Sequence, residues 1–305
     1  MSNMTHTPEE IEAERVHAAH EDAENGGTAA ATARKPRLAI MGEFSAGKST
    51  LSNLLLGARP LPERVTATRL SPVWITYGDD GAMPVAVGVD GTEEEVDLED
   101  IAEVDVEITR FIHMTFDSPI LEECDLIDFP GISDPNMDSE VWERMLGEVD
   151  LVLWCTHATQ AWRQSEAAAW ELVPEAVRAR SLLLVTRFDK LTTERDRARV
   201  LNRLTAETEG LFAGMYPLSL LQALEAADTG DAEAWSESGA ERFATDLREL
   251  LSAVGSGAVT QMGAMPEARV QTAREMPASD MPPSAKIVPR RIRSEGAAQR
   301  PRPAA

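Results

Sequence analysis

The sequence predicts an α/β fold, a doubly wound, mostly parallel sheet with helices on both faces. Three observations carry that prediction. The short runs Leu38–Met41 and Leu151–Cys155, and the interior of Ser181–Thr186, are continuously apolar, as strands buried on both faces require. Helical patterns separate them, so strand alternates with helix from Arg37 onward. The first run passes through a glycine-containing loop straight into a helix with Leu51, Leu54 and Leu55 on one face and Gly57 at its end.

Taken in order, the chain opens with Thr7-Pro8-Glu9-Glu10, a helix start with Thr7 as cap and Pro8 at the first helical position. A mostly polar helix is expected from there to about Asn25, with His17 and His20 on a solvated face. Gly26–Pro36 is Gly-, Ala- and Thr-rich and reads as a linker, so residues 1–36 form an N-terminal helix and flexible connection. Residues 37–254 form the α/β domain. After the first helix, Leu61–Thr68 is an irregular connection and Ser71–Tyr77 a strand rich in Val, Trp, Ile and Thr. Pro84–Val89 and Glu95–Val96 flank Asp90-Gly91 as a hairpin. A short helix near Leu98–Val104 and a strand near Val106–Met114 follow. The next strand ends at Asp125–Asp128 and opens into Phe129–Pro135. Val141–Val149 reads as a helix, Leu151–Cys155 as a buried strand, and Ala167–Leu172 lies in a helix. Ser181–Thr186 is the purest apolar strand, Glu194–Gly210 a charged amphipathic helix, and Tyr216–Ser219 the last strand. Phe243–Val254 is the final helix, striped by Leu247, Leu250 and Leu251. Residues 255–305 are Pro-, Ala- and Arg-rich without periodicity, the composition of a disordered basic tail.

Composition narrows the function. The 305 residues are 43% hydrophobic, enough for a sizeable core, and carry a net charge of −23 that argues against nucleic acid as a partner. Residues 261–305 hold eight basic against four acidic side chains, a net of +4, leaving −27 on the remainder. An acidic body with a basic tail suggests that Lys286, Arg290, Arg291, Arg293, Arg300 and Arg302 meet an anionic partner, such as anionic membrane. Cys124 and Cys155 both sit in apolar segments and read as buried thiols rather than a disulfide framework. No apolar run approaches 18 residues, and the N-terminus has no basic and apolar leader. The expectation is a cytoplasmic protein with at most peripheral contact with the inner face of the membrane.

The chemistry resides in four segments. Gly42-Glu-Phe-Ser-Ala-Gly47-Lys48-Ser49 satisfies the phosphate-loop pattern G-x-x-x-x-G-K-[ST] in its required strand–loop–helix context. Gly42 and Gly47 let the backbone curl so that successive N–H groups face phosphate oxygens, and the following helix adds its positive end. Lys48 is expected to neutralise β and γ phosphates and the Ser49 hydroxyl to ligate Mg²⁺. Asp128-Phe-Pro-Gly131 stands at a strand end some 80 residues on, where in a doubly wound sheet Asp128 reaches the same Mg²⁺ and the Gly131 N–H the γ-phosphate. Thr186-Arg187-Phe188-Asp189 closes the purest strand. A carboxylate there accepts both the N1 and N2 hydrogens of guanine, a pattern adenine does not present. Val65-Thr66-Ala67-Thr68 places a threonine in a mobile connection, able to bind Mg²⁺ and position water.

This combination resembles the dynamin-like GTPases, especially their bacterial members. The resemblance rests on G-E-F-S-A-G-K-S-T-L-x-N-x-L-L-G at Gly42–Gly57, L-P-x-x-V-T at Leu61–Thr66 and D-F-P-G at Asp128–Gly131. D-L-V-L-W at Asp150–Trp154, A-T-Q at Ala158–Gln160 and T-R-F-D at Thr186–Asp189 complete it, over residues 37–254. It implies a GTPase fold and hydrolysis of GTP to GDP and phosphate with Mg²⁺. Carried over, Gly42, Ser45, Ala46, Gly47, Lys48, Ser49 and Thr50 contact nucleotide, together with Asp128, Gly131, Thr186, Arg187 and Asp189. Ser49, Thr66 and Asp128 serve the metal, Thr66 is the first mobile switch and Asp128 with Gly131 the second, and Ser45 helps place the water and a compensating cation when two domains pair across the nucleotide.

Three departures shape the expectation. Phe44 stands where eukaryotic dynamins carry a catalytic glutamine, and Arg187 where T-K-x-D has lysine, its alkyl stem able to pack on the loop. Only about 50 residues follow the domain, whereas dynamins continue into stalk helices, so membrane scission by this chain alone is not expected. The leading reading is a slow GTP-hydrolysing switch, acting as a homodimer or with a stalk-bearing partner. The alternative is a GTP-binding interaction module with negligible turnover that works through its basic tail. An ATPase or ribosome-assembly GTPase fits the acidic body less well.

Overall fold

A computed structural model describes residues 34–57, 71–132 and 140–256. The N-terminal helix, most of the linker, the Thr66 connection, Ser133–Pro135 and the basic tail lie outside the described residues. The elements in order are β1 (Arg37–Gly42), α1 (Lys48–Leu56), β2 (Val73–Tyr77), β3 (Val85–Gly88), β4 (Glu93–Glu95), β5 (Thr109–Phe116) and α2 (Pro119–Glu123). There follow β6 (Asp125–Asp128), α3 (Glu140–Glu143), β7 (Leu151–His157), α4 (Gln164–Glu171), α5 (Glu175–Arg178), β8 (Leu182–Thr186) and α6 (Glu194–Glu207). The last are β9 (Gly214–Pro217), α7 (Leu220–Thr229), α8 (Ala232–Glu237) and α9 (Ala240–Gly255).

The nine strands among the described residues join one sheet in the order β4-β3-β5-β2-β6-β1-β7-β8-β9. The run β6-β1-β7-β8-β9 is wholly parallel. Beyond it β2 lies antiparallel to β6 and parallel to β5, and the β3–β4 hairpin packs antiparallel on β5. Alternate side chains of the central strands feed two cores, as the pleat dictates. On one face Leu38, Ile40, Leu153 and Leu184 pack with Leu51 of α1 and with Phe243, Leu247 and Leu251 of α9. On the other, Ala39, Met41, Trp154 and Leu183 pack with Trp142 and Trp170. Helices therefore cover both faces, as the apolar runs predict. Edge strand β4 is Glu93-Glu94-Glu95, all exposed, and three like charges deter pairing with another edge.

Several predicted elements are shorter than expected. The helix expected over Val141–Val149 is a single turn, Glu140–Glu143, followed by a 3-10 turn at Leu146–Glu148; Trp142, Met145 and Leu146 are all buried, so the i, i+3, i+4 face that the sequence pattern marks still meets the core across the change of helix type. The helix near Leu98–Val104 is likewise a 3-10 turn, Ile101–Glu103. The final helix starts earlier than expected, at Ala240, because Gly239 at φ 85° turns the chain into it.

Candidate nucleotide site

The site forms where the carboxyl ends of parallel strands meet. Residues Ile40 and Asp128 are register partners across β1 and β6, Gly42 pairs with Cys155 across β1 and β7, and His157 pairs with Thr186 across β7 and β8. The loop after β1 thus has the ends of β6, β7 and β8 around it, the arrangement in which doubly wound sheets bind ligands.

Gly42 seats the loop on the sheet. Its φ is +142°, and an added Cβ would lie 2.2 Å from the Cys155 carbonyl oxygen, so no side chain fits. The chain then curls back through Ser45 at φ 60°, and Ala46 N donates to Glu43 O at 3.2 Å. Gly47 caps α1. Lys48 Nζ lies inside this curl and donates to the carbonyls of Gly42 at 3.2 Å and Glu43 at 2.9 Å. Burial pushes the Lys48 ammonium below its ordinary range, while the Asp128 carboxylate acts in the opposite direction.

Asp128 closes the β6 side. Ser52, one turn after Lys48, donates to Asp128 Oδ2 at 3.0 Å and lies 3.2 Å from the Lys48 carbonyl. Burial raises the Asp128 carboxyl to about 6, against the pull of Lys48 and the Ser52 hydrogen bond. Gly131 follows in close contact, since a Cβ there would come within 3.1 Å of Phe44 Cα, and Ile132 N donates to Gly42 O at 3.2 Å. Ser49 and Thr50 are half-buried on the first turn of α1, and Ala46 is buried. The predicted residues Gly42, Ser45–Thr50, Asp128 and Gly131 are therefore gathered in one place. Thr66 lies outside the described residues.

The β8 side is joined to the loop by Thr186, fully buried, whose Oγ1 donates to Ala46 O at 2.6 Å and lies 3.2 Å from Thr156 O. Arg187 adopts φ 52°, and Phe188 N donates to Leu218 O at 3.1 Å. Asp189 is exposed, with Lys190 Nζ 3.3 Å from its Oδ2. A cavity of about 230 Å³ beside the loop is lined by Glu43, Ser45, His157, Gln160, Arg163 and Arg187 among others. Burial, then the nearby Arg187, pushes the His157 imidazole below its ordinary range.

Comparison with known proteins now adds to this geometry. The model of the dynamin family matches residues 38–187, the span from β1 through Thr186 and Arg187. Over that span the chain is similar to the dynamin family. It is 28% identical over 162 residues to Dynamin-like protein 2 of Campylobacter jejuni subsp. jejuni serotype O:23/36 (strain 81-176), covering 52% of this chain and 26% of the relative. Two solved structures of an oligomerised bacterial dynamin pair, described as a mechanism for long-range sensing and tethering of membranes, share the fold. The first matches with a TM-score of 0.51 at 16% identity, covering 82% of this chain and 39% of that one. The second gives 0.52 at 15% identity, covering 82% and 46%. The chain thus spans about a quarter of the curated relative's length and less than half of the solved ones.

Sequence reasoning missed three contributors to the site. Ser52 is one; its spacing of four from Lys48 on a helix was the available signal. The turn after β9 is the second: Leu220 Cδ1 lies 3.2 Å from an ideal Cβ built on Gly47, and Leu218 O receives the Phe188 N–H. The third is the segment after β7, where buried Glu166 accepts from Trp154 Nε1 at 3.1 Å, Thr156 Oγ1 at 3.1 Å and Arg163 N at 2.9 Å. Burial raises the Glu166 carboxyl. No described helix is long and apolar enough to cross a membrane.

Proposed function

We propose that the chain binds GTP with Mg²⁺ and hydrolyses it to GDP and phosphate, with residues 37–254 as the GTPase domain and the nucleotide state as a switch. The observation that carries this reading is the Lys48 ammonium held by the carbonyls of Gly42 and Glu43 next to the Asp128–Ser52 pair. Two of its three donors are used by the loop, and a triphosphate supplies acceptors for the third. The backbone of Ser45–Lys48 and the positive end of α1 would hold β and γ phosphates.

The donor set suits magnesium. Ser49 and Asp128 are oxygen donors, and Asp128 is a carboxylate whose ionised form burial disfavours, so a hard cation compensates it. Among the described residues no group of three or more His, Cys, Asp or Glu forms a cage, which suits an ion shared with phosphates. Ser49, Asp128 and Thr66 would hold the ion, which supplies neutralisation of charge on the phosphates. Catalysis then rests on positioning by Thr66, the Gly131 backbone and Ser45. Asp189, with Thr186 and Arg187, would select guanine.

Dynamin kinship supports two further steps: hydrolysis rising when two domains pair across the nucleotide, and action at membrane or with a stalk-bearing partner, with residues 286–302 touching anionic lipid. The test is GTP and ATP turnover by the full chain and by Lys48→Ala across protein concentration, with and without anionic liposomes. Turnover of GTP that rises with concentration and vanishes in Lys48→Ala supports the reading. Preference for ATP overturns the role of Asp189, and GTP binding without turnover leaves a binding module in place of an enzyme.

A further inference from the structure

A carboxylate inside an anion-binding loop is an anomaly, and Glu43 is one. It is buried, and groups from a single stretch 120 residues later take both of its oxygens. Arg163 Nη1 lies 2.9 Å from Oε2, and the Ser165 hydroxyl donates to Oε1. Lys48 acts on this charge only through space, because its hydrogen bond to Glu43 is to the carbonyl and not to the carboxylate. The Glu43 side chain is 11% exposed and that of Arg163 47%, so the partner that cannot regain water is the one in the loop.

Backbone geometry gives the pair a second consequence. Glu43 O and Ala46 N close a turn whose third residue, Ser45, has φ 60°, a conformation that favours glycine or asparagine. Such a conformation persists where the surroundings over-determine it. Arg163 and Ser165 hold the first corner through Glu43, and Thr186 Oγ1 holds the last through Ala46 O.

We propose that Arg163 is a positioning residue of the nucleotide site, whose guanidinium cancels the Glu43 charge and pins the Glu43–Ala46 turn. The inference rests on the GTP-binding reading above. With Arg163 in place the loop offers phosphate its N–H groups; without it the loop also offers a bare carboxylate, which repels the ligand.

The test measures equilibrium affinity for a fluorescent GTP analogue with Mg²⁺, together with thermal unfolding, for the full chain and its variants. Arg163→Gln is expected to weaken binding on the order of tenfold or more. Arg163→Lys keeps most of the affinity, and combining Glu43→Gln with Arg163→Gln recovers most of what the single change loses. That recovery is the readout a purely structural contact would not give, since the double variant has lost both partners. Unchanged affinity in Arg163→Gln, or a double variant as weak as the single, overturns the proposal. Should Arg163→Gln unfold, the double variant alone decides, by binding near the wild-type level or not. If wild type binds GTP and Lys48→Ala does not, a negative Arg163 result counts against this inference alone; if wild type binds none, both readings fall.

Discussion

Replacing Asp128 with asparagine removes a charge that the fold holds at a cost, and the size of that cost can be read from the site. Burial raises the carboxyl from 3.8 to about 6. A group whose folded pKa is raised favours the folded state when protonated, so its contribution is complete below about pH 4 and disappears as pH rises through about 6. The difference between those limits is about 3 kcal/mol, and between pH 4.5 and 7.5 it is about 2 kcal/mol. The Asp128→Asn variant lacks this dependence. Urea unfolding of both proteins without added metal, at pH 4.5 and 7.5, is expected to show the variant gaining about 2 kcal/mol on the wild type as pH rises. A difference that stays constant within about 0.5 kcal/mol would refute the account of a desolvated carboxylate. The same titration gives the Mg²⁺ dependence its sign, because only the ionised form attracts the ion: Mg²⁺-supported GTP affinity should fall as pH drops through about 6.

Other perturbations test the frame of the loop. Gly42→Ala places a methyl against the Cys155 carbonyl at a positive φ, costing about 3 kcal/mol or more; calorimetry should show a melting temperature lower by several degrees. Thr186→Val removes the donor shared by Ala46 O and Thr156 O and should cost about 1–2 kcal/mol in denaturant unfolding while weakening GTP binding. Glu166→Ala strands the Trp154, Thr156 and Arg163 donors in a buried site, and a loss of about 3 kcal/mol or more is expected by the same measurement.

How much of this was legible depended on whether the cause was local. The phosphate loop could be read because one strand, one loop and one helix are contiguous and their residue types are dictated by backbone geometry. The pairing of β1 with β6 followed from the sheet type. That β2 runs against β6 did not, because strand direction is decided by a connection whose sequence is irregular. Helices α7 and α8, over Leu220–Glu237, escaped notice. They are Ala- and acid-rich, and Gly230 and Asp231 interrupt the period. The grip of Arg163 and Ser165 on Glu43 joins residues 120 and more positions apart, and no spacing rule reaches that far.

The seat beneath the loop has a practical consequence. Cys155 presents its carbonyl to Gly42, while its thiol is fully buried and pushed up to about 12, and Cys124, also buried at about 12, lies outside the loop. Both sulfurs are mute towards alkylating reagents while the fold is closed, because the thiolate is the reacting form. Their rates of modification therefore clock opening events. A reagent that reaches Cys155 sooner than Cys124 would time the lifting of the loop from its floor, and equal rates would time whole-domain unfolding, with no engineered label in the chain.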